Sequence, residues 1–257
     1  MTMPSTVFMR IPNWLTDEIS VRMDEKLSII KMIPGRIWQR GADADVLLKR
    51  YSSAQLFISE KELQYPFFKK CAYKLLGKSV PQLFAVGTSS EKLKFDFIWS
   101  NLELSRLSPK DLVPEWKKYL APNALLMFSY LGPDTGKNLQ ALLGLERIVE
   151  YSSWDMHDVG DVLLQEGFSE PVMDMEYLTL DYKNRDLLVK DALLLGLITA
   201  EEFDQVSRQS SLGGAECALQ ITLELVYGHA WTPELNLSRA KDGLASISPD
   251  QIVRPKK

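Results

Sequence analysis

The stretch from Phe95 to Gly132, FDFIWSNLELSRLSPKDLVPEWKKYLAPNALLMFSYLG, constrains the fold more than any other part of the chain. It opens on an apolar run, Phe95 to Trp99, that is continuous rather than alternating, the pattern of a strand covered on both faces. A polar exit follows at Ser100 and Asn101. A helix is expected around Leu112 to Leu120, and the turn-forming Ala121-Pro122-Asn123 then leads into a second apolar strand, Ala124 to Tyr130. Strand, helix and strand in this order make a parallel β-α-β unit, the centre of an open α/β sheet. Ligands of such sheets sit beyond the carboxyl ends of the strands, where Ser100, Asn101, Tyr130 and Gly132 lie.

The rest of the chain extends this unit. Ile19, Met23, Leu27, Ile30 and Ile33 recur at three- and four-residue spacing and predict an amphipathic helix over 14–33, capped by Thr16 and ended by Pro34-Gly35. Strands are expected at 36–40, 55–59 and 82–86, with helices at 46–51 and 61–76 between them. Beyond Gly132-Pro133-Asp134-Thr135-Gly136, a loop of turn formers, helices are expected at 137–149 and 155–166. The second carries Met156, Val159, Leu163 and Leu164 on its apolar side and closes at Gly167. A strand at 172–182, a partly buried helix at 184–197, a loop at 207–214 and a last strand at 219–227 complete a seven-stranded, mostly parallel sheet with an antiparallel edge. The expected domain spans 14–232, with a helical insertion at 183–218 and a flexible tail at 233–257.

Composition excludes several classes. A formal net charge of −4 disfavours broad binding to nucleic-acid backbones, and Cys71 and Cys217 alone build neither a disulfide framework nor a metal cluster. No apolar run reaches the roughly 18 residues of a membrane span, and the first residues lack a signal-peptide pattern, so a cytoplasmic protein is expected.

Four segments carry a resemblance to a known family: DMHDVGDVLLQEGFSEPVMDMEYLTLDY at 155–182, LELVYGHAW at 223–231, FDFIWSNLEL at 95–104 and LMFSYLGPDTGKNL at 126–139. Over about residues 20–232 the chain resembles the class I S-adenosylmethionine-dependent methyltransferases, most closely the malonyl-acyl-carrier-protein O-methyltransferases of biotin synthesis. The resemblance implies a Rossmann-like fold, S-adenosylmethionine as methyl donor, and methylation of the free carboxylate of a malonyl thioester borne by an acyl-carrier protein.

Residue by residue, the resemblance also shows departures. The cofactor loop of such enzymes follows an acidic residue with spaced glycines. The matching RIWQRGADADVLL has Gln39 at the acidic position, keeps Gly41, and puts Asp43 and Asp45 at the later glycine positions. Glycine lets the backbone approach the cofactor closely. Each aspartate instead brings charge toward the cofactor's carboxylate, and a like-charge contact at 4 Å is worth roughly 4 kcal/mol at an effective dielectric of about 20. Glu60 resembles the acid that accepts from the ribose hydroxyls, or it is a solvated helix-start residue. Thr88 stands where many relatives carry an aspartate near adenine. Asn101 matches the family and faces the methionine part, faces the acceptor, or bonds its own turn. Weak or absent binding of S-adenosylmethionine is therefore expected. A noncatalytic methyltransferase-like protein that binds another protein is the competing reading.

Methylating a carboxylate needs alignment and exclusion of water rather than acid-base groups, so the lack of a triad excludes nothing. Tyr130, Tyr151 and Trp154 are candidates for an acceptor cavity, with packing in the core as the alternative. Asp134 and Thr135 are read as caps or as order in the loop. His157, beside Asp155 and Asp158, lacks a third ligand for a metal, and His229 is read as an orienting donor in a GHAW turn. Arg36, Arg40, Lys49, Arg50, Lys69, Lys70, Lys74 and Lys78, together with Lys110, Lys117 and Lys118, form basic clusters suited to an acidic carrier protein or ordinary solvated helices.

Overall fold

A computed structural model of the 257-residue chain describes residues 11–41, 45–59, 81–86, 93–105, 107–145, 154–208 and 218–234. The expected central unit is present. Strand β4 (Phe95–Asn101) pairs in parallel with β1 (Arg36–Arg40) on one side and β5 (Leu120–Leu131) on the other, with Ile37 opposite Phe97 and Phe97 opposite Leu125. With β2 (Gln55–Ser59), β3 (Gln82–Phe84), β6 (Ser169–Asp181) and β7 (Gln220–Trp231), these form one seven-stranded sheet in the order β3-β2-β1-β4-β5-β7-β6. Strand β7 runs antiparallel to both β5 and β6.

Two apolar layers explain the continuous hydrophobicity of β4. Phe97 and Trp99 pack with α1 (Asn13–Leu27), α2 (Asp45–Arg50), α4 (Lys137–Leu143), α6 (Arg185–Leu194) and α7 (Ala200–Arg208). Phe95 and Ile98 pack on the other face with α3 (Pro109–Tyr119) and α5 (Met156–Gln165), alongside Trp38, Phe128 and Tyr130. Burying a side chain of this size stabilises the fold by about 1.5–3 kcal/mol each, so a strand buried on both faces resists displacement.

Several expectations are corrected. Thr16 is not a cap: α1 starts after Pro12, and the Thr16 hydroxyl donates to the Asn13 carbonyl from inside the helix (2.8 Å). The helix ends at Leu27, leaving Ile33 exposed. Ala121-Pro122-Asn123 does not separate helix from strand; it is an irregularity within β5, where the register jumps between Phe95 and Phe97 and Asn123 takes φ 55°. Thr232 closes this bulge by accepting the Ala124 N–H (2.8 Å) and donating to the Ala121 carbonyl (2.5 Å). Leu164, expected on the apolar side of α5, is exposed. GHAW is no turn: Gly228 to Trp231 lie inside β7, and a Cβ on Gly228 would meet the Phe128 ring at 2.2 Å. Helix α7 was not expected. Thr199 and Glu202 cap it reciprocally, at 2.7 and 3.2 Å. The expected helix at 61–76, and the expected tail at 233–257 beyond Glu234, fall outside the described residues. No described helix is long and apolar enough to cross a membrane.

Candidate functional site

A helix that follows a parallel strand starts at the sheet's carboxyl edge, so β1, β4 and β5 and the first turns of α3 and α5 converge there. At the exit of β1, Gly41 has φ +83°, and a Cβ on it would lie 2.1 Å from the Asn101 carbonyl oxygen. Only glycine fits this close crossing of β1 over the end of β4. Gln39, two residues earlier, is buried between Ile58 and Trp99.

The side chain of Asn101 is engaged on three sides. Its amide donates to the Thr16 carbonyl and the Ser20 hydroxyl, both at 2.9 Å, and its oxygen accepts from Ser129 at 3.0 Å. Asn101 thus ties β4 to α1 and β5, and its backbone is what meets Gly41.

On the opposite face, Arg40 is buried. Burial opposes its charge, but a bidentate pair with Glu103 (2.6 and 2.8 Å) and a second pair with Glu115 outweigh that and raise its pKa. The guanidinium stacks on Trp38 at 4.4 Å, and Ser100 donates to Glu103 at 2.9 Å. Arg40 is therefore withdrawn from the expected docking surface, and Arg50 is paired with Asp24.

The second half of the edge is built around a residue not singled out from the sequence. Glu224 of β7 fills the space a Cβ on Gly132 would need, 2.4 Å from the glutamate carboxyl carbon, and accepts the Asp134 N–H at 2.6 Å. Thr135 exchanges side-chain hydrogen bonds with the Glu224 backbone, at 3.1 and 3.3 Å. Burial raises the Glu224 pKa against the opposing Asp134 N–H. The carboxylate inside LELV is the sequence signal for this residue: a single charge in an otherwise apolar strand needs a local partner. Asp134, whose pKa Lys137 lowers, also accepts from Tyr177 at 3.1 Å.

Tyr130 is fully buried against Phe128, and its hydroxyl has no hydrogen-bond partner among the described residues. Burial raises its pKa, and the charges of Glu224, Asp155 and Asp158 raise it further. Trp154 packs against the same cluster and carries the Lys110 ammonium 5.1 Å from its ring centroid. Asp155 caps α5 by accepting from His157 and Asp158, at 2.7 and 3.0 Å. His157 supplies a backbone donor to that cap. His229 faces the α1 layer from within β7, with its pKa lowered by burial.

Gln39, Gly41 and Asn101 are thus neighbours at one end of the edge, and Tyr130 and Trp154 share a cluster at the other. Asp43, Glu60, Thr88 and Tyr151 lie outside the described residues, and Asp45 opens α2.

Seven strands in this order with β7 reversed define the class I methyltransferase fold. It is shared by a protein of Bacillus halodurans C-125 named as a methyltransferase (TM-score 0.56, 10% identity, 84% of this chain and 99% of that one). The YcgJ protein of Bacillus subtilis shares it as well (TM-score 0.56, 12% identity, 85% and 99%). No protein-family model matches the chain. Among relatives, the malonyl-[acyl-carrier protein] O-methyltransferase of Gallionella capsiferriformans is 35% identical over 263 aligned positions, covering 91% of this chain and 88% of that protein. That of Laribacter hongkongensis is 31% identical, covering 89% and 86%. The chain belongs to the malonyl-[acyl-carrier protein] O-methyltransferase family.

Proposed function

We propose that this chain methylates the free carboxylate of a malonyl unit held as a thioester on acyl-carrier protein, in biotin synthesis, with S-adenosylmethionine as donor. The observation that carries the reading is membership of the malonyl-[acyl-carrier protein] O-methyltransferase family over most of the chain; Gly41, held against the Asn101 backbone, marks the exit of β1 where a methyl donor's amino-acid end would approach. Gln39, Gly41 and the Asn101 backbone are the described residues that would hold it, with Asp43, Glu60 and Thr88 completing the set. The donor supplies a sulfonium-bound methyl group. Trp154, partly buried over the cluster that encloses Tyr130, would form the acceptor wall together with Tyr151 and exclude water, with Tyr130 supporting it from the core. Lys117 and Lys118 on α3 offer charge complementary to an acidic carrier protein. The domain unit is 14–232, with 183–218 as its helical insertion.

Transfer of labelled methyl to malonyl-acyl-carrier protein, and much less to the acetyl form, is the expected result, together with rescue of a biotin-requiring strain that lacks its own methyltransferase. Equal background on both acceptors by folded protein refutes the activity. Donor affinity is expected to be weak, because Gln39 offers no charge to the donor's ammonium and Asp43 and Asp45 put negative charge at the sequence positions where the resemblance implies glycines. Loss of two interactions of about 1.4 kcal/mol each weakens a micromolar site roughly a hundredfold. Titration calorimetry yielding a dissociation constant below about 10 μM overturns this weakness. The same departures support a second reading, a noncatalytic binding protein, which full absence of donor binding would favour.

A further inference from the structure

A site that distinguishes malonyl from acetyl, and substrate from methylated product, has to read one feature: the negative charge of the free carboxylate. Among the described residues, three cationic side chains lie beside the carboxyl ends of β1, β4 and β5. Arg40 has both edges of its guanidinium occupied by Glu103 and Glu115. Lys137 is paired with Asp134. Lys110, in the first turn of α3, is exposed and differs from both: its contact is the Trp154 ring, 5.1 Å from the ammonium, and no carboxylate among the described residues pairs with it. A ring face orients an ammonium without cancelling its charge, so that charge stays available to an incoming anion. The nearby carboxylate of Asp155 is turned to its own helix by the N–H groups of His157 and Asp158. The ring under Lys110 belongs to the cluster that buries Tyr130.

We infer that Lys110, held on Trp154, is the specificity residue that pairs with the acceptor's free carboxylate, an inference that rests on the methyl-transfer reading above. One carboxylate oxygen pairs with the ammonium. The other forms the new C–O bond as the bond between methyl carbon and sulfur breaks, leaving a neutral ester and a neutral thioether with no proton moved. The carboxylate's charge disappears along this path, so Lys110 grips the substrate more strongly than the transition state or the ester. Its contribution lies in KM and in product release rather than in kcat.

The experiment compares wild type, Lys110→Met and Lys110→Arg with labelled S-adenosylmethionine on two acceptors, malonyl-acyl-carrier protein and malonyl-N-acetylcysteamine, with thermal unfolding as a check on folding. Lys110→Met is expected to raise KM about tenfold or more on both acceptors, to leave kcat unchanged or slightly higher, and to be largely rescued by Lys110→Arg. Kinetics within twofold of wild type on both acceptors overturn the inference while leaving the activity standing. A loss confined to the carrier-protein acceptor makes Lys110 a docking residue and overturns it as well. No transfer by the wild type removes the methyl-transfer reading and this inference with it.

Discussion

Substituting Gly41 separates backbone strain from collision. Gly41 and Gly144 both have positive φ, +83° and +65°, but a Cβ on Gly144 meets nothing within 4 Å, whereas one on Gly41 would lie 2.1 Å from the Asn101 carbonyl oxygen. Left-handed backbone costs an alanine roughly 1–2 kcal/mol, and that is the whole expected effect of Gly144→Ala. At Gly41 the atom in the way is backbone at the end of β4, and Asn101 is itself anchored to α1 and β5 by three hydrogen bonds. Relief therefore means parting β1 from β4, and overpacking of this kind adds about 1–3 kcal/mol or more. Gly41→Ala should lose about 2–5 kcal/mol in all, a fall in Tm of roughly 4–20 °C at about 2–4 °C per kcal/mol for a chain of this size. Urea titration of both variants measures the difference. If the two lose the same stability within about 0.5 kcal/mol, the close crossing is not a constraint and the reason given for glycine at this position fails.

Glu103→Ala, which leaves the buried Arg40 with Glu115 alone, should cost about 3 kcal/mol in urea titration, the low end for a broken buried pair because one carboxylate remains; a cost below about 1 kcal/mol would contradict the pairing. Burial lowers the folded-state pKa of His229 below 6.5, so the unfolded chain binds more protons between the two values and stability should fall as the pH drops below about 6.5. His229→Gln should flatten that slope, and an unchanged slope counts against burial as its cause. Glu224 has the opposite sign: its folded-state pKa is raised above 4.5, so stability falls as pH rises from 4.5 through the folded value, and Glu224→Gln should remove that loss while keeping an acceptor for the Asp134 N–H. Glu224→Ala, which keeps no acceptor, should be about 1–3 kcal/mol less stable than Glu224→Gln, and equal stabilities would show that the hydrogen bond contributes nothing.

The central sheet was legible because its signal is local. Strands 36–40 and 55–59 appear at their expected bounds, each on a short apolar core, Ile37-Trp38 and Leu56-Phe57-Ile58, flanked by polar residues, while the unbroken apolar run belongs to β4. Where reading failed, the deciding partner was distant in sequence. Pro122 and Asn123 carry the composition of a turn, and only Thr232 shows that they form a bulge. Gly228 reads as a turn glycine, and only the Phe128 ring shows that it is there for space. Helix α7 carries a recognisable Thr199–Glu202 capping box, but it buries only Val206, too little for an apolar stripe. Asn101 was legible as a residue at the edge, yet its three partners come from α1 and β5.

Two glutamates brace the carboxyl edge, half-buried Glu103 and buried Glu224, and they do so differently. Glu103 neutralises a charge already buried, so its own desolvation is offset by a bidentate partner and by Ser100. Among the described residues, Glu224 meets no cation within ion-pair distance; its carboxylate accepts the Asp134 N–H and fills the gap at Gly132, and burial raises its pKa. The first arrangement fixes the exits of β1 and β4, where a methyl donor would bind. The second fixes the turn after β5 beside Tyr130, on the acceptor side, and adds negative potential there. A carboxylate acceptor approaching Tyr130 would be repelled by Glu224, Asp155 and Asp158, the groups that already raise that phenol's pKa. On the methyl-transfer reading proposed above, an anionic acceptor enters from the α3 side, over Trp154, where the described edge presents the Lys110 ammonium and the neighbouring Asp155 carboxylate is engaged by the N–H groups of its own helix.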